Sequence, residues 1–350
     1  MVNSIDIAGR TVGPGQPCFI IAEAGVNHNG DAALARKLID AAAVAGADAV
    51  KFQTFNADLL VTRDAPQAEY QRLNTGAEES QYAMLKRLEM SHDMHRELIE
   101  HCALRGILFL STPFEEDSAD FLNALNIPAF KIPSGEITNL PFLTHVARMQ
   151  KPLIVSTGMS TLEEVAAAVA CIRATANDRV ALLHCVSNYP AATSDINLRA
   201  MDTLRDTFRV PTGYSDHTDG IDIALAAVAR GAQIIEKHFT LDRALPGPDH
   251  KASLEPAELT ALIASIRRIE ASLGDGIKRP VEAEKSTAAV ARKSIVAARD
   301  VEAGSVLSRE DLTIRRPGTG LPPAQLDAII GHRTRIALRA GEVLTAGALA

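Results

Sequence analysis

PTGYSDHTDG (211–220) and QIIEKHFT (233–240) are two short β-like runs, each carrying a histidine beside acidic residues. Between them, IDIALAAVARGA (221–232) has the apolar spacing of a single helix. Strand, crossover helix and second strand make one parallel βαβ unit. Neighbouring parallel strands lie about 4.8 Å apart, so His217 and His238 come within reach of one metal ion. The plainer alternative is a satisfied polar histidine at each strand end. Their pairing on adjoining strands favours the metal.

Working outward, the same beat recurs along the chain. CFIIAEA (18–24), DAVKFQT (48–54), ILFLST (107–112), AFKIPS (129–134), PLIVST (152–157) and VALLHCV (180–186) complete a set of eight strands with 211–216 and 233–239. Helical patterns such as DAALARKLIDAAAVAG and TLEEVAAAVACIRA lie between them, the second with a Thr cap and acids in its first turn. Apolar runs joined by helices imply parallel strands buried on both faces. Eight such units predict a (β/α)8 TIM barrel over residues 1–274. A doubly wound sheet is the runner-up, but its glycine-rich phosphate turn is missing: GVNHNG after the first strand does not fit GxGxxG. The segment NADLLVTRDAPQAEYQRLNTGAEES (56–80) is long for one βα connection and predicts an elaborated loop over the active face, before the helix QYAMLKRLEM.

After the helix 255–274 the chain turns polar, and 275–289 reads as a linker. Residues 290–350 hold short β-like pieces broken by DVEAG and LRAGE turns, which predicts a small β-rich domain. The 350 residues are 47% apolar and 23% charged, as in ordinary globular proteins. A net charge of −7 argues against a nucleic-acid surface, which needs excess Lys and Arg. No apolar run approaches about 18 uncharged residues and the N-terminus lacks a signal-peptide pattern. A cytoplasmic enzyme without a membrane partner is expected.

In a TIM barrel the working side chains sit at the C-terminal ends of the strands. Those ends read Glu23; Lys51 and Gln53; Ser111 and Thr112; Lys131, Ser134 and Glu136; Ser156 and Thr157; His184, Ser187, Asn188 and Tyr189; Asp216 and His217; Glu236, Lys237 and His238. Two lysines among hydroxyls suit a phosphate or carboxylate. A salt bridge between a barrel lysine and Glu23 is the structural alternative.

The runs AEAGVNHNG, KFQT, STPFEE, KIPSGEITN, STGMS, HCVSNYP, GYSDHT, EKHFT, PGPD and RPG resemble, nearly throughout the chain, the sialic acid synthase family. That family comprises the bacterial N-acetylneuraminate and N,N'-diacetyllegionaminate synthases, and residues 290–350 resemble its antifreeze-like (SAF) domain. The resemblance implies condensation of phosphoenolpyruvate with the open-chain aldehyde of an N-acylated hexosamine, releasing phosphate and a 2-keto acid. It implies phosphoenolpyruvate on Lys51, Thr112, Lys131, Ser134, Ser156 and Ser187, and sugar on Gln53, Tyr189, Asp249 and Arg316. Glu23 and Glu136 are left for proton transfer. His217 and His238 would hold a divalent metal, Mn²⁺ before Co²⁺ or Mg²⁺, to polarise the aldehyde. Arg316 would arrive from the partner subunit of a domain-swapped homodimer.

HCVSNYP departs from the HCTNxYP of some sialic acid synthases, placing Ser187 where an asparagine would meet phosphate. N-acetylneuraminate synthesis is the favoured reading, with N,N'-diacetyllegionaminate synthesis from 2,4-diacetamido-2,4,6-trideoxy-mannose as the alternative. A metal-dependent hydrolase barrel is remote, because the first strand lacks the H-x-H pair such barrels carry. A purely carbohydrate- or ice-binding protein would leave the polar ring of strand ends unexplained.

Overall fold

The chain opens with a hairpin that its sequence does not announce, β1 (Ile5–Ile7) and β2 (Arg10–Val12). Its two turn residues, Ala8 and Gly9, lie at φ 52° and 82°. An Ala–Gly turn lacks the Asn-Gly or Asp-Gly signal by which such turns are usually recognised. The computed structural model describes residues 2–69, 71–72 and 79–350. The elaborated 56–80 segment therefore lies partly outside the described residues. Its described part contains the short helix Ala57–Leu60, and helix Gln81–Leu88 follows.

All eight expected parallel strands are present: β3 (Phe19–Gly25), β4 (Ala49–Thr54), β5 (Leu108–Pro113), β6 (Phe130–Ile132), β7 (Leu153–Ser156), β8 (Val180–Cys185), β9 (Thr212–Asp216) and β10 (Ile234–His238). Their order, β5-β4-β3-β10-β9-β8-β7-β6, joins the first and last barrel strands through a ladder that pairs Glu23 with His238. The ends β5 and β6 make no ladder with each other, so the TIM-like barrel is nearly closed.

Side chains alternate between the inside of the barrel and its helix-covered outside. Inside, Phe19, Ile21, Ala49, Leu110, Ala129, Ile154, Ala181, Leu183 and Ile234 form an apolar plug, which the hairpin residues Ile5, Ile7 and Val12 join. Outside, residues such as Ile20, Val50, Phe109, Leu182 and Ile235 meet the helices in the largest apolar cluster. Helix Ala32–Ala45 illustrates the outer layer. It buries Ala35, Leu38, Ile39 and Ala42 at helical spacing, is capped by the Asp31 side chain on Ala33 N–H, and ends at Gly46 with φ 86°. Helix Leu162–Arg173 starts with the Thr161–Glu164 capping box that its sequence advertises.

Contacts divide the described residues into two compact units, Met1–Gly274 and Asp275–Ala350. The stretch expected as a linker, 275–289, is not irregular throughout, because helix Glu284–Ala291 begins within it. Its AAVA run favours helix locally, which the polar composition of the stretch obscured. The second unit pairs β11 (Ser294–Ala297) with β12 (Leu312–Arg315) over a core that includes Ile295, Leu307, Leu312 and Leu344. Among the described residues, no helix is long and apolar enough to cross a membrane.

Candidate active site

Directly above the apolar plug, the inward positions turn polar: Glu23, Lys51, Lys131, Ser156, Ser215 and Glu236 are all nearly inaccessible. Lys51 Nζ lies 2.5 Å from Glu23 Oε2 and 3.6 Å from Glu236 Oε2, and it donates to Thr112 Oγ1 at 2.9 Å. Lys131 Nζ stands 3.5 Å from Glu236 Oε1 and donates to Ser156 Oγ at 2.7 Å. Ser215 Oγ donates to Glu236 Oε1 at 2.7 Å, and Gln53 Nε2 to Glu23 Oε1 at 3.3 Å.

The two carboxyls titrate apart. Burial dominates at Glu23 and raises its pKa to about 7, against the pull of Lys51. Burial also acts on Glu236, but Lys131 and Lys51 outweigh it and bring the pKa down to about 2. Burial opposes the Lys51 ammonium too, yet Glu23 and Glu236 raise its pKa. At Lys131, burial prevails over Glu236 and lowers it. Glu236 is held ionised while Glu23 stands near the midpoint of its titration at pH 7, so the two lysines need not face two full negative charges, which suits a floor that receives an anion.

Over β6–β8 this floor carries hydroxyls. Ser134 Oγ accepts from the Gly158 amide at 2.9 Å. A Cβ at Gly158 would meet Ser134 Oγ at 2.8 Å and collide with Ser187 Oγ, so only glycine leaves this cradle open. Over β9–β10, the rings of His217 and His238 have centroids 5.4 Å apart, and Tyr189 packs 4.0 Å from His217. His217 Nδ1 donates to the Val186 carbonyl at 2.7 Å, which leaves Nε2 for a ligand. His238 Nδ1 is buried without a hydrogen-bond partner, and burial, then His217 and Lys51, hold its pKa far below the usual histidine range. Burial opposes charge on His217, but Cys185 and the Val186 carbonyl outweigh it and raise its pKa. Two imidazoles side by side, one with an orphaned nitrogen, fit a divalent cation that would displace the proton. Among the described residues no cluster of three or more His, Cys, Asp or Glu forms a metal cage, so such a cation would draw its remaining ligands from water and substrate. Asp249 lines the same space, its pKa raised by burial to about 6.

These groups line one cavity of about 470 Å³. It brings together Glu23, Lys51, Gln53, Thr112, Lys131, Ser134, Ser156, Ser187, Tyr189, His217, His238 and Asp249. Glu136 is not among its lining residues: a 3-10 turn over Ser134–Glu136 carries its carboxylate to Asn139 Nδ2, which donates to it at 2.7 Å. Arg316 lies exposed in the second unit. The salt bridge of Lys51 to Glu23, weighed as the structural alternative, is present as well, inside the cavity. Glu236, Ser215 and Cys185 line the cavity without having been assigned a role. Alternation was the signal for them, since Ile234, Glu236 and His238 share one face of β10. The same alternation sends Asp216 and Lys237 outward, where they form a buried pair at 2.8 Å. It likewise turns Ser111 to Thr54, at 2.6 Å, and His184 to the Ile196 carbonyl.

A nearly closed parallel barrel with an anion-binding floor, a hydroxyl cradle and a histidine pair at its C-terminal mouth defines a TIM-barrel enzyme acting on an anionic substrate. The profile of the NeuB family matches residues 38–278 and that of the SAF domain residues 292–350. The chain belongs to the NeuB family and ends in a SAF domain. It is 51% identical over 336 residues to the N,N'-diacetyllegionaminic acid synthase of Legionella pneumophila, spanning 95% of this chain and 94% of that one. The enzyme of the same name from Campylobacter jejuni is 49% identical, over 89% and 94% of the two chains. A crystal structure of N-acetylneuraminic acid synthetase from Leptospira borgpetersenii, in complex with citrate, superposes with a TM-score of 0.73 at 37% identity, over 82% of this chain and 95% of that one.

Proposed function

We propose that this enzyme is an N,N'-diacetyllegionaminate synthase, condensing phosphoenolpyruvate with open-chain 2,4-diacetamido-2,4,6-trideoxy-mannose and water to give a nine-carbon 2-keto acid and phosphate. The observation that carries the chemistry is the buried pair of lysines around Glu236 beneath the hydroxyl cradle. The identity of the sugar follows the two legionaminic acid synthases at 51% and 49%, which displaces N-acetylneuraminate, the reading favoured from sequence, to second place. The Leptospira structure supports that second reading.

Lys131, Ser134, Ser156 and Ser187 hold the phosphate and carboxylate, with Lys51 and Thr112 completing the floor. Held there, the terminal methylene carbon (C3) of phosphoenolpyruvate faces the aldehyde of a sugar bound by Gln53, Tyr189 and Asp249. The carbon–carbon bond forms from C3 as the aldehyde oxygen takes a proton, water adds to C2, which bears the phosphate ester, and C2 then expels phosphate to leave the keto group. Glu23, poised near neutrality, is the group for moving the water's proton. His217 and His238 would hold a divalent metal, Mn²⁺ before Co²⁺ or Mg²⁺, which would supply polarisation of the aldehyde. The active assembly is a homodimer in which Arg316 of one subunit serves the other's sugar site, and the enzyme works in the cytoplasm.

Phosphate release with phosphoenolpyruvate and each sugar tests the reading. The expected outcome is a kcat/KM for the trideoxy sugar well above that for N-acetylmannosamine, and the reverse ranking sinks the assignment.

A further inference from the structure

The mouth of the barrel divides into three sectors. Loops after β6–β8 carry Ser134, Gly158 and Ser187, and β9–β10 carry the histidines. The loops after β3–β5 are different in kind. There Phe55, Leu60, Met84, Leu85, Leu88 and Phe114 form, with Val26, a separate apolar cluster, and every one of them lines the cavity. Phe55 and Phe114 meet edge to face at 5.9 Å, fixing the wall. Met84 is 1% exposed, whereas Leu60, Leu85 and Phe114 keep part of their surface open. An apolar wall facing a cavity whose floor is charged calls for a ligand with one anionic and one apolar end.

We propose that this wall is the specificity subsite for the far end of the sugar. The inference rests on the reaction proposed above. The aldehyde carbon must lie beside the histidines and the methylene carbon of phosphoenolpyruvate, and the hydroxyl cradle occupies β6–β8, so C4 to C6 extend toward β3–β5. In the trideoxy sugar that end bears a C6 methyl and the methyl of the 4-acetamido group. In N-acetylmannosamine the same positions are hydroxyls, which would lose water against leucine and phenylalanine without gaining a partner. Gln81 also lines the cavity, and its amide matches the polar half of an acetamido group. Gln81 and the wall together select an acylated, deoxygenated tail.

A matched pair of sugars, N-acetylmannosamine and its 6-deoxy analogue, isolates the wall from the identity of the natural substrate. Wild-type enzyme is expected to favour the 6-deoxy sugar in kcat/KM by about tenfold, within the range of 10–200-fold that one apolar group commands. Leu60→Gln and Leu85→Gln should each collapse that ratio toward one while the KM for phosphoenolpyruvate stays put, which also reports an intact barrel. Equal use of the two sugars by wild-type enzyme overturns the wall without any variant, as does an unchanged ratio in both variants. A parallel assay with the trideoxy sugar separates the two readings. If wild-type enzyme rejects it yet keeps the 6-deoxy preference, the proposed function falls and the wall stands. If wild-type enzyme uses it without any 6-deoxy preference, the wall falls and the function stands.

Discussion

Glu23 and Glu236 share the ammonium of Lys51, at 2.5 Å and 3.6 Å, yet one titrates near 7 and the other near 2. The difference is the second lysine: Lys131 stands 3.5 Å from Glu236 and is a lesser influence at Glu23. Environments that drive two carboxyls apart assign them different work. Glu236 is a fixed counter-charge, and Glu23 is the group able to carry a proton.

If Glu23 takes the proton from water, kcat/KM rises as pH increases through about 7 and Glu23 ionises. Glu23→Gln should lower kcat by about 10²–10⁴-fold, flatten that limb and leave the KM for phosphoenolpyruvate nearly unchanged. A pH–rate profile of the variant that keeps the wild-type limb would transfer the role to another group.

His217 and His238 are each required if they hold the cation. His217→Ala and His238→Ala should lose activity by several orders of magnitude, since an electrophilic metal contributes several kcal/mol to the transition state. Calorimetric titration should find Mn²⁺ bound by the wild type and not by the double variant. Full activity in excess chelator would remove the metal from the reaction.

Trans completion by Arg316 is checked with mixed dimers. Arg316→Ala and His217→Ala homodimers should both be inactive, whereas an isolated heterodimer regains one complete site from the good barrel of the first chain and the good arginine of the second. Heterodimers no more active than either parent refute the trans arrangement. A fully active Arg316→Ala homodimer removes the arginine from the site.

Acid stability offers an independent check, at His95. Its Nδ1 donates to the Ser91 carbonyl at 2.8 Å, so Nε2 accepts from Thr54 Oγ1, also at 2.8 Å. Protonation would destroy that acceptor, and burial lowers the pKa from 6.5 to about 4. The unfolded chain therefore takes up the proton first, and the stabilisation is lost as pH falls from about 6.5 toward 4. By pH 5 the loss from this residue is about 2 kcal/mol. Urea unfolding at pH 7 and pH 5 should give a smaller difference for His95→Gln than for the wild type, and an equal difference would exclude His95 as its source.

The barrel was legible because each strand announces itself as an apolar run between capped helices. The plug and polar floor were legible in principle, since Ile21 and Glu23, Ala49 and Lys51, or Leu183 and Cys185 stand two apart on one face. Reading the strand ends as clusters instead joined Lys237 and Asp216 to the mouth, although period-two alternation points them outward. Glu136, two residues beyond Ser134, stands in a 3-10 turn where its carboxylate accepts from Asn139, a local contact that nearness in sequence does not reveal. The apolar wall was harder still, for Phe55, Met84 and Phe114 come from three separate segments and converge only through folding.

The N-terminal hairpin, whose Ile5, Ile7 and Val12 join the plug, thickens the apolar layer beneath the charged floor. Under the proposed placement, a ligand on Lys51 and Lys131 lies below the space assigned to the sugar. On the proposed reaction, a floor at that depth would take up phosphoenolpyruvate before the sugar closes over it and release phosphate last.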